Sequence, residues 1–122
     1  MTNYSQLTDV QINEAVARAL GWVWMPAIGL QTPGMGMLPA VPAHWKLPDG
    51  THRRDYDPVR DWRDTGPLLE GMTHCIEIAE TVDNRYQVYV MPQDRDTVTA
   101  VARNLQRAIC EAWLILKEGN DA

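Results

Sequence analysis

His74-Cys75-Ile76-Glu77-Ile78-Ala79-Glu80-Thr81 and Tyr86-Gln87-Val88-Tyr89-Val90-Met91 are two runs of two-residue alternation separated by Val82-Asp83-Asn84-Arg85. Side chains on a strand point to opposite faces in turn, so such runs put one apolar and one mixed row on a half-buried sheet. Asp-Asn between them is turn chemistry, and the whole reads as an antiparallel hairpin. Pro92 ends it. This hairpin makes the protein β-containing, and the segments around it supply the helices.

Downstream, Asp96-Thr97 reads as a helix cap, and Val98, Val101, Leu105, Ala108, Ile109, Ala112 and Leu116 recur at steps of three and four. The spacing predicts one long terminal helix that stops at Gly119. Upstream, Thr8-Asp9-Val10-Gln11 has the capping-box form, flanked by Leu7 and Ile12 as a hydrophobic staple. Ile12, Val16 and Leu20 then mark one face of a helix over Asp9–Leu20, closed by Gly21.

Trp22–Met25 predicts a brief strand, and Trp45-Lys46-Leu47-Pro48-Asp49-Gly50-Thr51-His52-Arg53 a small hairpin turning on Pro-Asp-Gly. Asp57-Pro58 opens a second helical piece, with Thr65-Gly66-Pro67 expected to divide it in two. Between Pro26 and Pro48 five prolines and three glycines make regular structure hard to sustain. That segment is nonetheless rich in Ile, Leu, Met and Val, too apolar for a disordered linker.

The predicted fold class is therefore α+β. It is a two-layer arrangement, a mostly antiparallel small sheet packed against an N-terminal helix and a long C-terminal helix. All 122 residues form one domain, with a Pro/Gly/Met-rich insertion at about 26–43.

A net charge of −5 disfavours generic nucleic-acid binding. The one local basic cluster, His52-Arg53-Arg54, is followed by Asp55 and Asp57 and reads as a solvated loop rather than a phosphate site. Two cysteines, Cys75 and Cys110, and a polar start without a signal-like run point to a reducing cytosol with free thiols. No stretch reaches the roughly 20 apolar residues of a membrane helix.

His44, His52, His74, Cys75 and Cys110 lack metal-ligand spacing, and His74 and Cys75 point to opposite strand faces. Ser5 is the only serine, and no Gly-rich phosphate loop stands between a strand and a helix. Asp57, Asp61 and Asp64 fall on one helix face, where capping and exposed pairing with arginines explain them better than a cation site. No catalytic residue, metal site or cofactor is expected.

Two candidate surfaces remain. Trp24, Met35, Met37, Trp45 and Arg53 carry the aromatic, Met and Arg types that fill interface cores. Arg53, Tyr56, Asp61 and Trp62 would line a small ligand pocket, although Trp62 reads first as a plug between helix and sheet.

Tyr56-Asp57-Pro58-Val59-Arg60-Asp61-Trp62 and Gly66-Pro67-Leu68-Leu69-Glu70 also resemble a family. They are similar to the small phage proteins grouped as NinX-like, related to the phage ABA-sandwich domain. Ala19-Leu20-Gly21 and Leu105–Cys110 look similar too, so the resemblance covers roughly residues 8–22 and 44–118. Val59 and Arg60 depart from the usual small hydroxylated or acidic residues, and 26–43 looks inserted. The resemblance implies phage or prophage origin, work in the bacterial host cytoplasm, and an accessory role such as host modulation or anti-defence.

The expectation is a non-enzymatic protein that binds a host protein or a second copy of itself. The alternatives are a protein that binds or sequesters a nucleotide-like small ligand, and a structural homo-oligomer. No membrane partner is expected, and a nucleic-acid partner is disfavoured.

Overall fold

The computed structural model describes residues 3–32, 36–72, 75–92 and 96–120. After a short 3-10 turn at Tyr4–Gln6 the order is α1 (Asp9–Ala19), β1 (Val23–Met25), β2 (Ile28–Thr32), β3 (Gly36–Val41), β4 (His44–Lys46), β5 (His52–Arg53), α2 (Trp62–Gly71), β6 (Cys75–Glu80), β7 (Tyr86–Met91), β8 (Val98–Ala102) and α3 (Leu105–Asn120). The fold class is α+β, and every strand pairing is antiparallel. The strands form three assemblies instead of one sheet: β1-β4-β5, β2-β3 and β6-β7-β8. The chain divides into two compact units, Met1–Val16 with Asp57–Ala122, and Ala17–Tyr56.

The larger unit is a two-layer structure. β6 and β7 pair in register from Cys75↔Met91 to Glu80↔Tyr86. Their turn is held by the Thr81 N–H donating to the Arg85 carbonyl at 2.8 Å, with Asn84 at φ 62°. Asn tolerates this left-handed position better than most residues.

β8 then pairs with β7 from Tyr86↔Ala102 to Val90↔Val98. This corrects the terminal helix, whose first turns were expected at Asp96–Ala102. Val98, Thr99 and Val101 are β-branched and prefer a pleated surface. The helix starts later, where the Asn104 side chain accepts from the Gln106 N–H at 2.9 Å and its carbonyl accepts from the Ala108 N–H at 3.0 Å. α3 covers β7 and β8, and α2 packs on α3. Val88, Val90, Ala100, Ile109 and Leu114 are buried between the layers, joined in the core by Ile12 and Val59.

α2 corrects a second expectation. The chain makes one turn after Asp57, with the Asp61 N–H donating to the Asp57 carbonyl at 2.8 Å. Asp61 then caps α2, its Oδ1 accepting from the Arg63 N–H at 3.0 Å. The break falls at Asp61, and α2 runs unbroken through Thr65-Gly66-Pro67. Pro67 is exposed, so the helix gives up one backbone bond without crowding a neighbour.

α1 begins as the capping box requires: the Thr8 N–H donates to Gln11 Oε1 at 2.8 Å and the Gln11 N–H to Thr8 Oγ1 at 3.2 Å. At its other end Gly21, φ 86°, lets the Trp22 N–H reach the Ala17 carbonyl and its own N–H reach the Arg18 carbonyl, both at 3.0 Å.

The smaller unit is built on a ribbon. β1 pairs with β4 (Val23↔Lys46, Trp24↔Trp45, Met25↔His44), and β2 with β3 from Ile28↔Val41 to Thr32↔Gly36. Met25↔His44 and Ile28↔Val41 belong to one register, so β1-β2 and β3-β4 form a single antiparallel ribbon. It is interrupted only at Pro26-Ala27 and Pro42-Ala43, where the two prolines cannot donate to a ladder. The segment expected to resist regular structure is thus a hairpin. Its register shifts between Ile28 and Leu30, where one residue of β2, Gly29, faces two of β3, Pro39 and Ala40, so Pro39 sits in the bulge.

The expected Pro-Asp-Gly hairpin stands as β4-β5. Asp49 Oδ1 accepts from the Thr51 N–H at 3.0 Å and the Thr51 hydroxyl at 2.6 Å, and Gly50 takes φ 89°. Those bonds, the hydroxyl's first, hold the Asp49 carboxyl below its ordinary value.

Candidate functional site

Two regions hold the residues singled out in the sequence. The first is the motif from Tyr56 to Glu70. In the larger unit its polar groups are spent on folding. Asp57 Oδ1 accepts from Asn13 Nδ2 at 2.8 Å, and the Asp57 N–H donates to Asp64 Oδ2 at 2.9 Å. Thr65 Oγ1 donates to the Pro58 carbonyl at 2.5 Å, and Gln106 Nε2 donates to Thr65 Oγ1 at 3.3 Å. Asn104 Nδ2 reaches the Val59 carbonyl at 2.7 Å, and the Val59 N–H donates to Asn13 Oδ1 at 3.2 Å.

Asp64, Thr65, Pro58 and Val59 are buried. A buried polar network is stabilising only when its members are satisfied, and this one ties α1, α2 and α3 together. Val59, which departs from the family pattern, simply fills the core. Trp62 is 52% exposed and does not plug a gap between helix and sheet.

The second region is the smaller unit. Trp22 and Tyr56 rings lie 4.4 Å apart, and the Arg53 guanidinium sits 5.3 Å from the Tyr56 ring centre. Trp24 meets Trp45 edge-on at 4.9 Å, as directly paired residues of β1 and β4. Arg18 lies 5.8 Å from the Trp45 ring. Trp45 is buried and Trp24 is 42% exposed.

Arg53 and Tyr56 are therefore neighbours in one unit, while Asp61 and Trp62 belong to the other, with Asp61 engaged as a helix cap. Trp24, Trp45 and Arg53 occupy adjoining register positions of β1, β4 and β5. Met37 lies on β3 opposite Gln31, its side chain outside the described ones. Met35, His74 and the side chain of Cys75 also lie outside the described residues.

A feature missed in the sequence is an open cleft of about 920 Å³ at the end of β4-β5, lined among the described residues by Pro42, His44, His52, Arg53, Arg54 and Asp55. His44 and His52 meet edge-on at 4.7 Å. His44 Nδ1 lies 2.9 Å from the Pro42 carbonyl; a carbonyl only accepts, so Nδ1 carries the proton. Arg53 Nη2 lies 3.5 Å from Asp55 Oδ1. The signal was available: His44 and Lys46 are two apart on one strand and His52 is paired with Lys46 on the next, so all three share a sheet face.

Among the described residues no group of three His, Cys, Asp or Glu is placed to hold a metal ion, and no helix is long and apolar enough to cross a membrane. Cys110 is buried, and burial pushes its thiol up to about 12, far from a reactive thiolate.

The chain belongs to the NinX family: the family model described as "Bacteriophage P22, NinX" matches residues 3–117, a range that runs through the ribbon. No individual curated protein matches the chain.

Proposed function

We propose that this phage accessory protein acts without catalysis, by binding another protein chain through the ribbon of residues 23–46. One observation carries the reading. The ribbon keeps one register from Val23↔Lys46 to Ile28↔Val41 and continues past a one-residue bulge to Thr32↔Gly36, yet among the described residues β2 and β3 pair only with each other. Ten residues on one side and eleven on the other span roughly 33 Å at strand rise. A two-stranded ribbon is marginal alone, and over β2 and β3, beyond the stretch where β5 pairs with β4, its edges offer N–H and C=O groups for a third strand. Strand addition to such an edge is a common mode of protein recognition. Trp24, exposed at the ribbon's base, adds an aromatic anchor of the kind that dominates interface energies.

A host protein as the partner fits a host-modulating or anti-defence role, and a second copy of the chain is the other occupant. Removing residues 28–41 tests the reading. The remaining Pro26-Ala27-Pro42-Ala43 loop can still join β1 to β4 in the same register. With near-native thermal unfolding, the deletion is expected to abolish self-association by light scattering, or co-purification with a host protein. Association unchanged in the deletion variant overturns the proposal.

A further inference from the structure

We infer that the cleft at the end of β4-β5 is a binding site for a tetrahedral oxyanion of the phosphate class, received by His44, His52 and Arg54. The inference is independent of the ribbon's partner.

Charge is the first ground. Although the chain carries −5 overall, the unit Ala17–Tyr56 has Arg18, Lys46, Arg53 and Arg54 against only Asp49 and Asp55, a formal net of +2. Asp49 is turned into its own hairpin by Thr51, and Asp55 pairs with Arg53. The acidic charge of the protein thus lies in the other unit, and the sheet face of His44, Lys46 and His52 is locally basic.

Geometry is the second ground. His44 and His52 stand diagonally across two paired strands, their rings 4.7 Å apart, both on the cleft wall. With Nδ1 of His44 donating to the Pro42 carbonyl, Nε2 is left as the atom that can face a ligand. A protonated Nε2–H donates to an anion, whereas a neutral one offers only a lone pair that repels it.

His52 and Arg54 are exposed, and Arg54 brings a fork of donors matched to oxyanion geometry. Among the described residues, the charged groups on or next to the strands that carry the two rings are Lys46 on β4, Arg53 on β5, and Arg54 and Asp55 just beyond it. β1 contributes only Val23 and Met25 at the neighbouring positions. The two rings, so close on one face, converge on a single oxyanion together with Arg54. Tyr56 already has Trp22 and Arg53 against its ring, so it is not offered as a stacking platform and the anion itself is the recognised element.

The test is titration of the full chain with sulfate, whose charge is constant between pH 5 and 8, followed by the imidazole NMR signals of His44 and His52. Chloride at matched ionic strength is the control, and inorganic phosphate and a nucleoside monophosphate are further probes. Saturable shifts of both rings are expected as sulfate is added. His52→Gln or Arg54→Gln is expected to weaken sulfate about tenfold, the scale of one charge-assisted hydrogen bond. Stronger binding of the monophosphate than of inorganic phosphate assigns the oxyanion to a larger metabolite, and equal binding assigns it to the free ion.

The inference is overturned if chloride reproduces the shifts. It is also overturned if neither ring responds to sulfate, or if a single-stranded oligonucleotide binds and sulfate does not compete. Should a variant unfold, the wild-type titration alone decides.

Discussion

Arg107 Nη1 on α3 lies 2.6 Å from Asp9 Oδ1 at the start of α1. The same guanidinium places Nε 3.2 Å from Glu111 Oε2, and its Nη2 donates to the carbonyls of Leu7 at 2.5 Å and Tyr4 at 3.2 Å. Burial opposes its charge, but the bonds to Asp9 and Glu111 more than offset that, and its pKa is raised. One side chain thus fastens the N-terminal turn and α1 to the last helix. Arg107→Met removes the fork and strands Glu111, so it is expected to cost about 3 kcal/mol in urea unfolding, as breaking a buried pair does. Arg107→Lys restores the charge but not the planar fork, and is expected to recover less than half. A loss below about 1 kcal/mol for the Met variant would make the clamp incidental.

Glu111 gives this clamp a pH signature. Burial raises its carboxyl pKa, and Arg107 pulls it back only in part. The folded state therefore holds the proton more tightly than the unfolded chain, whose Glu pKa is about 4.3. The contribution to stability is complete below that value and is lost as pH rises through the higher folded value. Glu111→Gln keeps an acceptor for Arg107 without the ionisation. Its melting temperature relative to wild type is expected to climb between pH 4 and pH 7. A constant difference across that range counts against the assignment.

Asn104 does two jobs where the sequence suggested none. It caps α3 through the Gln106 N–H and donates from Nδ2 to the Val59 carbonyl at 2.7 Å. Asn104→Ala is expected to cost about 2 kcal/mol, a cap plus a partly buried hydrogen bond. Asp61→Ala loses the α2 cap and an exposed ion pair with Arg63 of little weight, and is expected to cost about 1 kcal/mol. Asp96 is exposed and lies before β8, so Asp96→Ala is expected to be near neutral. If Asp96→Ala proves the costlier change in denaturant melts, the late start of α3 is wrong.

What the sequence disclosed and what it hid divide along locality. The capping box at Thr8 and the Pro48-Asp49-Gly50 turn are decided by side chains bonding within three residues, so their patterns could be read directly. Val98 and Val101 sit at a helical interval from Leu105 and also at strand-compatible positions; the tie is broken by pairing with Tyr86–Val90, which no local pattern contains. Five prolines hide the ribbon, because proline breaks most regular structure. Here Pro26 and Pro42 fall where pairing pauses and Pro39 falls in a bulge, positions where a missing N–H costs little. Arg53 and Tyr56 are three residues apart in the chain, and the guanidinium lies 5.3 Å from the ring centre. His44 is distant in sequence from His52-Arg53-Arg54 and joins that basic cluster only across the β4-β5 pair.

Cys110 offers a probe of how the larger unit opens. It lies on the buried side of α3 with no exposed surface, and burial, reinforced by the Glu111 charge, lifts its thiol to about 12. The thiolate is the reactive form, so at pH 8 the folded protein holds almost none of it, and the reagent has no path to the sulfur. In a Cys75→Ser background, which leaves Cys110 as the one thiol, labelling by a maleimide or iodoacetamide at pH 8 should therefore wait on unfolding. The labelling rate is expected to rise with urea along the same curve as global unfolding, because α3 is central to the core and exposes this position only when the unit comes apart. Arg107→Met, by lowering global stability, should speed labelling in proportion to its measured loss. Rapid labelling of the native Cys75→Ser protein, independent of urea, would mean that α3 opens locally and that the layer it forms over β7 and β8 is looser than its packing implies.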